Sequence, residues 1–130
     1  MREILFRGLH RRKGEKVRLD GTPVESIWVY GGYCQYNVES GIIYQVEPEV
    51  NKYPVYADSI GQYTGLTDKN GRKIFEGDIL IWGFEIYVIT YIEEYGQFLG
   101  TNGEAKYEIT PTDDAEVIGN VHDNPELLKG

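Results

Sequence analysis

Cysteine is nearly missing from this chain: Cys34 stands alone among 130 residues, so no disulfide can form within it. A fold without that staple must hold itself by burial, and a reducing compartment is the natural setting for such a composition. No apolar run approaches the roughly 20 residues of a membrane-spanning helix. The opening MREILFRGLHRRKG also lacks the apolar stretch of a secretory leader. The expectation is a soluble, cytoplasmic protein with no membrane role. Histidine is scarce, at two residues, and no Ser/Pro-rich linker separates independent domains. Long helical periodicity is missing too.

What is abundant points to strands. There are eleven tyrosines and sixteen glycines against one methionine, and 41% of the residues are hydrophobic. Tyrosine, valine and isoleucine suit a pleated, half-buried surface, and glycine serves turns and bulges. A chain of this length is one domain, residues 1–130, large enough to bury a core. Period-two patterning with turn punctuation recurs throughout. Strands are expected at residues 3–9, 16–19, 26–30 and 33–38, with a polar turn at 10–14, a hairpin signal at Asp20-Gly21 and a break at Gly31-Gly32 that makes 26–30 and 33–38 partners. Residues 42–46 form a strand closed by Pro48, and 53–57 an edge strand or extended link, since Pro54 has no amide to donate. A soft boundary near 55–60 divides an N-terminal β part (1–57) from a C-terminal part (58–130). The latter holds strands at 78–82, 85–92, 95–99, 106–109 and 116–121. Five short strands with tight turns suit a small SH3-like barrel. The fold class is therefore mainly β and antiparallel, with α+β as the alternative.

The charge of −8 is uneven: residues 1–20 carry seven Lys/Arg against three acids, and the remainder six against eighteen. An acidic body repels phosphate backbones at range, so nucleic acid is not the expected partner. Arg11, Arg12 and Lys13 can still touch it locally, although short charge runs usually face solvent in a turn. Tyr30, Tyr33, Tyr36 and Tyr44 can stack on bases, but without interleaved cations they read more simply as core and interface residues.

The stretch GQYTGLTDKNGRKIFEGDIL, residues 61–80, brings charged residues and glycines to the approach of an apolar run. As a calcium loop it fails: with Gly71 at position six, Asp68 and Asn70 fill three and five, but Leu66 and Gly77 occupy one and twelve. Glu76 and Asp78, two apart, share a face if the strand is extended, as a general acid/base pair would. Gly77-Asp78 opening a strand is the stronger reading, because aspartate beside glycine readily bonds its own backbone. Asn70-Gly71 signals a two-residue hairpin with positive φ at both residues, joining 62–67 to 72–75 with Asp68 and Lys69 at the tip. His10, His122 and Cys34 would have to converge with an acid to hold zinc, and Cys34 reads better as a small core residue than as a nucleophile. No metal, cofactor or catalytic residue is expected. At the end of the chain, Asn124 and Pro125 can start a helical turn as N-cap and first residue.

Three segments, MREILFR, GQYTGLTDKNGRKIFEGDIL and EVIGNVHDNPELL, taken in this order, make the chain resemble the YopX family of bacteriophage and prophage proteins. The resemblance implies a mainly β or α+β fold with a barrel-like C-terminal part, and no known activity or catalytic residues. It implies family-motif positions at Gln62, Tyr63, Thr64, Gly65, Asn70, Gly71, Glu76, Gly77, Asp78, Gly119, Asn120, Asn124 and Pro125. Read as residues, these are turn formers, caps and strand starters.

The resulting expectation is a phage- or prophage-encoded, cytoplasmic, non-enzymatic interaction or assembly module that self-associates and meets an unidentified host or phage protein. The alternative is a weak nucleic-acid binder using Arg11, Arg12 and Lys13 and a small-barrel face. The self-contact is expected on 26–30 and 33–38, which carry few charges to blunt a sheet edge.

Overall fold

A computed structural model of the chain describes residues 4–15, 19, 25–35, 37–45, 51–103, 105–108 and 114–128. Residues 16–18 of the strand expected at 16–19, the hairpin signal at Asp20-Gly21, Pro48 and Tyr36 lie outside the described residues, and Leu19 is in a turn. Two compact units emerge, Ile4–Gln62 and a C-terminal one that begins at Tyr63. Both are built of antiparallel strands, and the chain is mainly β. Among the described residues no helix is long and apolar enough to cross a membrane.

The N-terminal unit contains β1 (Phe6–Arg11), β2 (Ile27–Gln35), β3 (Ser40–Gln45) and β4 (Asn51–Tyr56), in the spatial order β4-β3-β2-β1. A short 3₁₀ turn, η1 (Ala57–Ser59), leads to β5 (Gly61–Thr67), whose first two residues pair with β1 as Phe6↔Gln62 and Arg7↔Gly61. Val29, Ile43 and Val55 are buried, and Phe6, Tyr33, Tyr53 and Ile60 pack against them. Each fully buried aliphatic side chain of this kind contributes about 1.5–3 kcal/mol. The sheet curls so that β1 approaches β4: His10 Nδ1 lies 2.7 Å from the Pro54 carbonyl oxygen, and the Leu9 amide donates to Ser59 Oγ at 2.7 Å. Of the two forms expected around Pro54, edge strand or extended link, the edge strand is the one found. In the sheet order β4 has a neighbour on one side only, where a missing amide is tolerated.

Two expectations fail here. The first strand begins at Phe6 rather than at residue 3, so Ile4 is 73% exposed, and His10 and Arg11, expected in a turn, belong to the strand. Alternation alone cannot choose between these offsets; Leu9, buried and paired with Trp28, sets the one observed. Nor does Gly31-Gly32 break β2. The strand runs straight through, pairing with β1 over Ile27 to Gly31 and with β3 over Gly32 to Gln35. A Cβ on Gly31 would lie 2.0 Å from the Tyr44 carbonyl oxygen, so the glycine admits a neighbouring backbone instead of making a turn.

In the C-terminal unit the rest of β5 pairs with β6 (Lys73–Phe75). There follow β7 (Asp78–Trp82), β8 (Glu85–Ile92), β9 (Gln97–Asn102), β10 (Ala105–Tyr107) and β11 (Glu116–Asn120), hydrogen-bonded in the order β10-β9-β8-β7-β11. The apolar residues Ile79 and Leu80, successive in β7 and so on opposite faces of the sheet, are both buried, and β7 is paired on both sides, by β8 and β11. Ile74, Leu80, Ile89, Ala115 and Val117 form the core, with Leu66, Trp82 and Phe98 packed around it. A last 3₁₀ turn, η2 (Pro125–Leu128), ends the described chain. The hydrogen-bonded order runs open from β10 to β11, so it does not by itself close an SH3-like barrel.

Candidate functional site

Polar residues that are far apart in the motif segments meet around β7 and β11. Gly77, at φ 89°, is the corner of the turn between β6 and β7. Its amide donates to the Ile89 carbonyl at 2.8 Å, and its carbonyl accepts the Val121 amide at 2.9 Å. Asp78 pairs with Asn120 across the sheet. The acid is 2% exposed, and its Oδ2 accepts the Phe75 amide at 2.7 Å. Glu76, half-buried, precedes a residue of positive φ, so Glu76 and Asp78 do not stand on one extended strand. The shared face that acid/base work would need is not formed.

Asp68 departs furthest from its expected place. It is not displayed at a hairpin tip but is 7% exposed. Oδ1 accepts the amides of Asn70 and Arg72, both at 2.9 Å, and Oδ2 accepts the Val117 amide at 3.0 Å. Burial pushes its carboxyl pKa up, but these amides, with the Arg72 charge, outweigh that and hold it below the usual carboxylate range. The turn also differs from the expected pair of positive-φ residues. Only Gly71 has positive φ, at 80°, while the Gly71 amide donates to the Asp68 carbonyl and the Asp68 amide to the Arg72 carbonyl. A turn closed by its first aspartate and a left-handed glycine replaces the two-residue hairpin. The Lys69 amide donates to the Ala115 carbonyl at 3.0 Å, and Lys69 Nζ lies 3.7 Å from Glu116 Oε2. The loop is thereby tied to the start of β11.

The other motif positions act on the backbone as well. Thr64 is buried; its hydroxyl donates to the Ile74 carbonyl at 2.8 Å and accepts the Leu66 amide at 3.2 Å. Gly65, at φ 90°, lies inside the register shift between Tyr63 and Thr67, and the Tyr63 ring is 5.6 Å from that of Phe75. Gln62 pairs with Phe6 in the N-terminal unit. Asn120 Oδ1 accepts the amides of His122 and Asp123 at 3.0 and 2.9 Å. Asn124 Oδ1 accepts the Asn120 amide at 3.2 Å, so its side chain turns back to β11 rather than capping η2, which starts at Pro125. A Cβ on Gly119 would meet that same Oδ1 at 2.5 Å. The motif thus specifies a close fit between Gly119 and Asn124.

Asn120 and Asp68 carry a signal that sequence reading can use: Asx residues before tight turns, accepting amides two to four residues on. The amide that Val117 donates to Asp68, 49 residues away in the chain, carries none.

The basic cluster is engaged within the N-terminal unit. Arg12 forms an ion pair with Asp58 and lies over the Tyr56 ring, 4.2 Å from its centroid, while Arg11 Nη1 donates to the His10 carbonyl at 3.0 Å. The Tyr56 hydroxyl donates to Glu15, which also accepts the Arg12 amide. That hydroxyl bond, first among the causes, lowers the Glu15 carboxyl and raises the Tyr56 phenol. Lys13 is exposed. Cys34 is exposed rather than a core residue, because it lies near the end of β2. Among the described residues no group of three His, Cys, Asp or Glu side chains is placed to hold a metal.

The crystal structure of protein EF1440 from Enterococcus faecalis is similar to this chain with a TM-score of 0.55, 22% identity and coverage of 98% of this chain and 99% of that one. At that identity the likeness shows the fold. No curated protein matches the chain. A family model described as YopX protein matches residues 13–129, which takes in the turns at Asp68, Gly77 and Asn120 and leaves out the opening MREILFR. The chain belongs to the YopX family.

Proposed function

We propose that this protein is a phage- or prophage-encoded, cytoplasmic interaction or assembly module that is not an enzyme and that associates with itself. One observation carries the reading: Asp68, Asp78, Asn120, Asn124 and Thr64, the polar groups that chemistry would recruit, bond backbone amides and carbonyls of their own unit. A buried carboxylate that accepts backbone amides is committed to holding a turn. What such a scaffold offers a partner is shape and surface.

Nucleic-acid binding through Arg11, Arg12 and Lys13 draws less support, since Arg12 already faces Asp58 and Tyr56. Light scattering coupled to size exclusion, run over a dilution series, tests the reading. A mass above that of one chain is expected. A single-chain mass at every concentration removes self-association from it. Titration with single-stranded and duplex oligonucleotides at low and high salt tests the alternative.

A further inference from the structure

The C-terminal unit carries a groove that none of these turns uses. Its floor is the outer face of β8, where Ile86 and Val88 are half-buried, and Leu127 and Leu128 of η2 form one wall. Phe84, at the tip of the turn between β7 and β8, stands beside it fully exposed at 102%. The cleft has a volume of 480 Å³. Its polar lining is already engaged: the Thr101 hydroxyl donates to the Val88 carbonyl at 3.2 Å, and Asn102 Nδ2 to Glu85 Oε2 at 2.9 Å. Recognition there falls to apolar side chains.

The charge around the groove selects among apolar partners. The whole net charge of the chain resides in this unit: residues 63–130 hold five Lys/Arg and thirteen Asp/Glu, whereas residues 4–62 hold seven of each. Glu85 lines the groove and exposed Glu126 adjoins its Leu wall, while no lysine or arginine is among the described lining residues. A second copy of this unit would bring like charge onto the same face. A cationic segment with apolar anchors would gain both from burial and from the field.

We propose that this groove docks a basic protein segment that inserts apolar side chains between β8 and η2 and sets its Lys or Arg residues toward Glu85 and Glu126. The inference rests on the interaction-module reading and names the partner's chemistry. It belongs to the helix- or strand-in-groove type of recognition, in which a few apolar anchors carry the affinity and rim charges set the association rate and salt dependence.

The test uses the full chain, isotope-labelled for amide NMR, and three synthetic peptides of equal length. One alternates Lys with Leu, one Lys with Ser and one Glu with Leu. The Lys/Leu peptide is expected to bind, with shifts centred on Phe84, Ile86, Val88 and Leu127 and an affinity that falls as salt rises. The other two should bind about tenfold more weakly or worse, the loss expected when one sizeable contact class is removed. Leu128→Lys, at a position already 45% exposed, should weaken the Lys/Leu peptide while leaving the thermal midpoint unchanged. Equal binding of the Lys/Ser peptide, shifts spread over the acidic surface, or no effect of Leu128→Lys would overturn the proposal. Groove shifts that grow with protein concentration alone would show a second copy there, which also overturns it. If the peptide fails while light scattering shows self-association, the docking proposal falls and the module reading stands. If both fail, both fall.

Discussion

Asp68 concentrates the residue-scale argument, because one carboxylate closes its own turn and fastens that turn to β11. Asp68→Asn keeps the shape but turns an acceptor into a donor facing the Val117 amide. A loss of about 1–3 kcal/mol is expected in denaturant unfolding at neutral pH. The folded-state pKa of Asp68 is depressed. Its contribution is therefore complete above the unfolded carboxylate range and is lost as pH falls through the folded value. Stability measured across acidic pH should show the gap between wild type and Asp68→Asn narrowing toward the acid end. A gap that stays constant would remove the carboxylate from the account. Gly77→Ala tests the neighbouring turn: at φ 89° a Cβ is strained, and a cost of about 1–2 kcal/mol should appear as a lower unfolding midpoint.

Among the elements, β2 changes most between expectation and structure. Few charges and several aromatics make residues 26–30 and 33–38 look like unprotected edges, suited to pairing with a second chain. Instead β2 is interior, and its Tyr33 ring lies 5.9 Å from Phe6 against the buried Val29 and Ile43. Its backbone is hydrogen-bonded on both sides, to β1 and to β3, although most of its side chains are half-buried or exposed. Self-association by edge pairing, if light scattering finds it, must use another strand. Tyr33→Glu should destabilise the N-terminal unit by about 3 kcal/mol or more, as loss of a packed aromatic does, rather than act on assembly alone. A Tyr33→Glu protein with an unchanged melting curve would contradict this placement.

Taken whole, the molecule separates its charge: the N-terminal unit is neutral and the C-terminal unit carries the −8. Affinity for nucleic acid should stay in the non-specific range, about 10⁻⁴–10⁻⁶ M or weaker at physiological salt. Much tighter binding, abolished by changing Arg11, Arg12 and Lys13 to Ala, would reverse that view. The double change Glu76→Gln with Asp78→Asn should lower the thermal midpoint, since Asp78 holds the Phe75 amide. No calcium or zinc binding is expected in either form by calorimetry. Stoichiometric binding by the wild type, lost in the double variant, would restore a metal reading.

The sequence alone was enough to set the strand class, most C-terminal strand positions and the family, because these depend on local properties. Apolar runs rich in Ile, Val and Tyr mark residues 78–82 and 85–92, and glycines mark the corners at Gly77 and Gly83. What it left open depends on partners distant in the chain. The offset of β1 was chosen by Trp28 and Ser59, the purpose of Gly31 by the Tyr44 carbonyl, and the burial of Asp68 by the Val117 amide. The direction of the Asn124 side chain was likewise settled by Gly119 and the Asn120 amide. A polar residue in a turn reads the same whether it faces water or a backbone amide from another strand. Only the packing of those strands, which removes the water, decides that Asp68 and Asn124 accept backbone amides of β11.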